Sequence, residues 1–253
     1  MVFDLPNGFP IITERNIGRF WRKPIGELLA FINGARTVSE LKAFGCDWWD
    51  MWGTAEKCAQ FGLKPGDLGP GSYTLFKNYP APDGTMFNQF EEIIKQIRDF
   101  PLVATHKITT WFPPYAIGHK ERQRQVVVAP CHGDIEINIL GDGKLYLRMD
   151  QRSGDFPIGV PSNIIQYAAL TIMIAHVTGY EPYMYIHSVH NAQIYEDQIE
   201  SIKELTLRKT RNFPTVVLND EGLKIKNLSD FRPEHFDLSD YNPHPALKIP
   251  TTI

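Results

Sequence analysis

Cys131, followed by His132, is the residue best suited to covalent chemistry in this chain. A thiol attacks as its thiolate, and a thiolate needs a nearby cation, a helix N-terminus or hydrogen-bond donors. Arg122 and Arg124 lie a few residues upstream. The alternative is a structural cysteine, because free Cys also packs as a small hydrophobe. Gln151-Arg152-Ser153-Gly154-Asp155 offers a guanidinium fork and a hydroxyl, which suit a cluster of anionic oxygens. The same segment also reads as a solvated turn after a strand. Asn163 presents a donor beside an acceptor, so it could read a heterocyclic edge or cap a helix. Glu27 interrupts an apolar helical pattern, ELLAFI, and sits either at an exposed edge or in a cleft that raises its pKa. Trp48, Trp49 and Trp52 could stack a flat ligand or fill a core.

The surrounding patterns name the elements that must position these groups. Residues 18–33 predict an amphipathic helix closed by Gly34, and residues 86–99 a second one stopped by Pro101. The period then changes. Residues 133–140 and 144–149 alternate apolar and polar around Gly141-Asp142-Gly143, which predicts a β-hairpin. Pro161-Ser162 opens a long apolar helix to about Val177, with Gly179 as its stop. A helix apolar on most faces belongs at the centre of a domain. Strands are expected at 183–189 and 214–218, with a helix at 195–209 between them. The class is α+β: one domain over residues 1–253, with a mixed, largely antiparallel sheet packed by helices around a long buried one.

Bulk composition narrows the function classes. Hydrophobic residues make up 43% of the 253 and charged residues 22%, a globular composition. The formal net charge is -3 and no basic tract dominates, which disfavours nucleic acid as a partner. Three cysteines with no metal-ligand spacing argue against a disulfide framework and against zinc, so no metal is expected. The N-terminus lacks a charged segment followed by an apolar run, and the apolar stretch 164–177 is too short to span a bilayer. A cytoplasmic protein with no membrane association is the resulting expectation.

Several motifs in order resemble the thymidylate synthase family over nearly the whole chain. They are FDLPNGFPIIT, FWRKPIGELLAFINGA, WWDMW, DLGP, NYPAPDG, APCH, QRSGD, IGVPSNI, QYAALTIMIAHVTGYEP, IYEDQIE and YNPHPALKIPTTI. The resemblance implies an enzyme in which the Cys131 thiolate adds to C6 of a pyrimidine nucleotide, with methylenetetrahydrofolate donating a one-carbon unit to C5. It implies that Glu27 handles proton transfers and that Asn163 reads the pyrimidine edge. Arg152, Ser153 and His132 would lie around the phosphate and the thiol, and Tyr195 at the sugar hydroxyl. Asp155, Trp49, Trp52 and Gly159 would meet the folate, and the C-terminal Ile253 would help to close the site. The family is a homodimer joined through its sheets.

Departures from the family pattern set further expectations. Ala104 and Thr105 stand where the family carries an arginine pair for the phosphate, and Val2 where it carries another arginine. A lost charged hydrogen bond is worth about 1.5–3 kcal/mol. Candidate replacements are His106, Lys107, Arg122 and Arg124. The family's sugar-binding histidine is Gln193 here, after Asn191 and Ala192, which points to a changed ribose pocket and a possible ribonucleotide substrate. The family's tyrosine near the thiol falls on Ser72, with Tyr73 one position late. Three functions stay open: a methylase or hydroxymethylase acting on an unusual pyrimidine nucleotide such as UMP or CMP, an ordinary thymidylate synthase converting dUMP to dTMP, and a silent nucleotide-binding homologue.

Overall fold

The computed structural model describes residues 1–251. Ile253, with its expected closing role, therefore lies outside the described residues. The helices are α1 (Lys23–Ile32), α2 (Val38–Lys42), α3 (Ala55–Ala59), α4 (Gln89–Asp99), α5 (Pro113–Ala116), α6 (Gly159–Thr178) and α7 (Ile199–Thr206). The strands are β1 (Val2–Asp4), β2 (Tyr79–Pro80), β3 (Met86–Phe87), β4 (Lys107–Ile108), β5 (Asp134–Ile139), β6 (Lys144–Asp155), β7 (Glu181–Gln193), β8 (Thr215–Leu218) and β9 (Phe236–Ser239).

The main sheet has the order β1-β7-β6-β5-β4. The β5/β6 pair is the expected antiparallel hairpin. It is followed by a crossover through α6, so β6 and β7 run parallel. Both strands extend beyond the alternating stretches seen in the sequence, β6 to Asp155 and β7 to Gln193. Their mutual pairing holds segments whose own pattern is broken by Gly154 and Asn191-Ala192. This extension carries the QRSGD and Gln193 segments onto adjacent strands, where Ser153 faces Asn191 and Asp155 faces Gln193.

One face of the sheet is apolar because alternate residues point to it. Leu145, Leu147, Met149 and Gln151 of β6 are buried there, while Tyr146, Arg148 and Asp150 face the other way. Helix α6 lies on the buried face, with α1 and α4 packed against it. It begins at Gly159, two residues before Pro161, so Asn163 sits in its second turn. Gly179 ends it in the left-handed region at φ 81°, where a residue lacking Cβ is unstrained. At 20 residues α6 is long and apolar enough to cross a membrane, which corrects the shorter span expected from sequence. Most of that length is instead buried inside the fold, where the sheet and α1 supply the apolar surroundings. Helix α1 is shorter than expected because its first turn starts at Lys23-Pro24, where proline is tolerated.

Candidate active site

Cys131 lies in the segment that enters β5, beside the strand that carries Arg152. The Arg152 N–H donates to the Cys131 carbonyl at 2.7 Å. The Arg152 guanidinium then reaches back over the same loop. It donates to the Pro130 carbonyl at 3.3 Å and lies 3.5 Å from the Cys131 sulfur. Trp111 backs it, with the guanidinium carbon 5.5 Å from the ring centre. Burial pushes the Cys131 thiol up, and the Arg152 charge pulls against that shift.

His132 does not supply the activating cation. Burial drives its pKa down to about 3, so the imidazole is neutral. Its Nδ1 meets the Tyr167 hydroxyl at 2.6 Å and its ring stacks on Tyr73 at 4.4 Å between centres. Tyr73 occupies the place beside the thiol that the sequence left divided between two residues. Its hydroxyl accepts the Cys131 N–H at 2.9 Å and the His132 N–H at 3.4 Å. Ser72 makes no such contact. It precedes the 3-10 turn Tyr73–Phe76, and its buried hydroxyl has no hydrogen-bond partner. The turn rotates Tyr73 toward Cys131, which absorbs the one-position offset.

Glu27 is 6% exposed on α1 and faces α6, which settles the choice between edge and cleft. The Trp48 indole N–H donates to its Oε1 at 2.6 Å, and the Trp49 indole donates to the same oxygen. The Gln166 amide donates to Oε2 at 2.5 Å, and the Cys46 thiol lies 3.7 Å from Oε1. Burial raises the carboxyl pKa, and these four donors partly offset it. The Trp cluster thus serves through its N–H groups as well as its ring faces. Trp52 is partly buried against the core, with the Lys57 ammonium 4.3 Å above its ring.

Asn163 does not cap α6. Its Oδ1 accepts from Gln151 at 3.0 Å and its Nδ2 donates to Gln166 at 2.9 Å. The helix N-terminus therefore carries an amide held by side chains and not by backbone. Gly159, one turn earlier, leaves room beside both Asp155 and Asn163, since a Cβ there would come to 3.8 Å and 4.0 Å from them. Asp155 accepts from Gln198 at 3.1 Å and from the Ile158 N–H at 3.3 Å. Burial raises its pKa, against those donors and the nearby Arg15. The Tyr195 hydroxyl donates to Gln193 Oε1 at 3.3 Å, so the expected sugar-site pair is in contact.

A cleft of about 300 Å³ opens on the Arg152 side of Cys131. Thr110, Trp111, His132, Asp134, Asp150 and His190 line it. It therefore carries one arginine and two carboxylates. Of the candidate replacement cations, His106 is buried against Gln96 and the Pro101 carbonyl. Lys107 pairs with Glu136 at 3.0 Å, and Arg122 donates to the Pro114 carbonyl. Arg124 donates to the Val127 carbonyl at 3.0 Å and lies over the Phe61 ring, but its buried Nε has no hydrogen-bond partner, and its charge and that of Arg152 disfavour one another.

Sequence reasoning left several of these groups without a role: Gln166, Gln151, His187, Tyr167, Trp111 and Arg15. The available signal was polar residues set inside apolar periodic runs, as Gln166 is inside α6. Among the described residues no cluster of His, Cys, Asp or Glu is arranged to hold a metal. The family model for thymidylate synthase, whose reaction is folate-dependent methylation at C5 of a pyrimidine nucleotide, matches residues 1–253, and the chain belongs to the thymidylate synthase family.

Proposed function

We propose that this chain transfers a one-carbon unit, as methyl or hydroxymethyl, to C5 of a pyrimidine nucleotide whose phosphate and ribose are recognised differently from the family pattern. The observation that carries the reading is the Arg152 guanidinium 3.5 Å from the Cys131 sulfur, at the mouth of a cleft. A thiolate held there bonds to C6 of the ring, and the C5–C6 electron pair moves onto C5 and the C4 carbonyl. Glu27, with its raised pKa, exchanges a proton at that carbonyl. C5 then bonds to the one-carbon unit, and loss of the C5 proton and expulsion of the thiolate restore the double bond.

The folate, when bound, would supply the one-carbon unit as its bond to the folate nitrogen breaks, together with the hydride that a methyl product needs; water would complete a hydroxymethyl product. A flat pterin with donor N–H groups suits the half-buried Asp155 carboxylate and the Trp49 and Trp52 rings. Arg152 and Arg124 hold the phosphate in place of the family's arginine pair, since each feels the other's charge and Arg124 keeps an unpartnered buried Nε. Thr105 instead bonds to Gln96, and Val2 is an exposed residue of β1. Gln193 and Tyr195 meet the sugar, and Gln193 in place of the family's histidine is the change that would admit a ribonucleotide. Two copies pair through the open face of the sheet, where Glu136, Asn138, Tyr146 and Arg148 lie.

Product mass spectrometry tests this. The protein and its Cys131→Ala variant are incubated with methylenetetrahydrofolate and deoxyuridylate, uridylate, deoxycytidylate and cytidylate. A C5-modified product that requires Cys131, made best from a ribonucleotide, is the expected result. A methyl product from deoxyuridylate alone identifies an ordinary thymidylate synthase. No product from any of the four overturns the catalytic reading.

A further inference from the structure

The amide of Asn163 belongs to an unbroken series of buried side chains that crosses the core from α1 to β7. The Tyr185 hydroxyl meets His187 Nδ1 at 2.7 Å, and His187 Nε2 meets Gln151 Oε1 at 2.9 Å. Gln151 Nε2 donates both to the Ser153 carbonyl at 2.9 Å and to Asn163 Oδ1 at 3.0 Å. Asn163 Nδ2 donates to Gln166 Oε1 at 2.9 Å, and Gln166 Nε2 donates to Glu27 Oε2 at 2.5 Å. Gln166 and His187 are fully buried and Gln151 nearly so.

The direction of this series is fixed twice over. A backbone carbonyl can only accept, so Gln151 must turn its nitrogen toward Ser153. The other proton on that nitrogen points at Asn163, which must answer with its oxygen. The Asn163 nitrogen then faces Gln166, whose oxygen accepts it and whose nitrogen faces Glu27. Whenever Glu27 is ionised its carboxylate also only accepts, so that end then demands the same direction. Inverting any one amide sets oxygen against oxygen or nitrogen against nitrogen inside the core, where such a mismatch is costly.

Asn163 is left with one free N–H and one free lone pair, each at a set place. The N–H lies on the Gln166 side and the lone pair on the Gln151 side. Resting on the reading that Glu27 serves the C4 substituent, we propose that Gln166 is a specificity-determining positioning residue that locks Asn163 to accept a 4-oxo, 3-NH pyrimidine edge. A uracil ring presents its C4 oxygen to the Asn163 N–H and its N3–H to the Asn163 oxygen. A cytosine ring presents an amino group to the N–H and a bare nitrogen to the oxygen, and both contacts are lost.

Titration calorimetry separates this from the question of catalysis. Uridylate, cytidylate and their deoxy counterparts are titrated into the wild type and into Gln166→Met, which keeps the volume and removes both bonds. In the wild type the uracil nucleotide should bind about tenfold tighter, or more, than the cytosine nucleotide with the same sugar. In Gln166→Met that ratio should fall to about threefold or less, while folate affinity stays unchanged and thermal unfolding stays cooperative. A cytosine preference, or a ratio unmoved in the folded variant, overturns the proposal. Uracil-selective binding without any C5 product leaves it standing and overturns the transfer reading alone. Neutron diffraction of the ligand-free wild type decides the amide directly and needs no variant. Deuterium on the Asn163 atom that faces Gln166 is expected, and deuterium on the atom that faces Gln151 overturns the lock.

Discussion

The Arg152 guanidinium is held from one side by the Ala129 and Pro130 carbonyls and lies 3.5 Å from the Cys131 sulfur. It opposes the effect of burial on the thiol, and no imidazolium assists it, because His132 is neutral. Arg152→Leu should therefore raise the Cys131 pKa. Each unit of increase lowers the thiolate fraction about tenfold at a pH below the pKa. The second-order rate of Cys131 alkylation by iodoacetamide, followed across pH, checks this. An unchanged alkylation profile would mean that the loop amides and not the guanidinium govern the sulfur.

Glu27 carries a pKa above its ordinary value because burial outweighs its four donors. The sign follows directly: the folded state binds this proton more tightly than the unfolded state does. Its contribution to stability is complete below the ordinary value of 4.5 and is lost as pH rises through the folded value. Glu27→Gln should thus unfold at a temperature that gains on the wild type as pH rises from 5 to 8. Turnover should fall about a hundredfold or more, the usual cost of losing a proton-transfer group. Scanning calorimetry at the two pH values, with product assays beside it, measures both.

The elements that hold these groups were legible where the sequence pattern is local. The β5/β6 hairpin is set by alternation around a Gly-Asp-Gly turn, and α6 by an apolar run ended at Gly179. The parallel β6/β7 pairing was not, because its partners are separated by a 20-residue helix and only tertiary contact selects them. The family pattern singles out Cys131, Glu27, Asn163 and Arg152 as expected site residues. It left Tyr73 ambiguous, because a one-residue offset is absorbed by the 3-10 turn and not by the alignment. Gln166 and His187 stand out as polar residues inside apolar runs but have no role there, since such a residue has no stated partner until the fold supplies one.

Gly133 is a second determinant of the thiol's position. It adopts φ 107°, and a Cβ there would lie 2.8 Å from Thr110 Oγ1 and 3.0 Å from the Phe76 ring. That same Thr110 hydroxyl donates to the His132 carbonyl at 2.9 Å, next to Cys131. Gly133→Ala combines backbone strain with overpacking and should cost about 2–4 kcal/mol. Gly179→Ala at the end of α6 meets open space and only the strain of φ 81°, so about 1 kcal/mol is expected. Urea denaturation of both variants tests the order. Equal losses would show that strain alone, without the Thr110 contact, sets the cost at Gly133.

His132 and His187 both stay neutral in the fold, with pKa values pushed down to about 3 and about 4, first of all by burial. For a histidine lowered in this way the unfolded chain takes up the proton first. Stability is therefore complete above the ordinary value of 6.5 and declines as pH falls toward the folded values. Each residue contributes a slope of about 1.4 kcal/mol per pH unit across that window. The unfolding free energy from urea titrations at pH 7, 6 and 5 should fall accordingly, less steeply in His132→Gln by one proton's worth. Because neither imidazole gains a charge between pH 5 and 8, neither should produce a limb in the pH dependence of turnover there. A limb near 6.5 that disappears in His132→Gln would show that the imidazole is charged during the reaction and would reassign the cation beside Cys131.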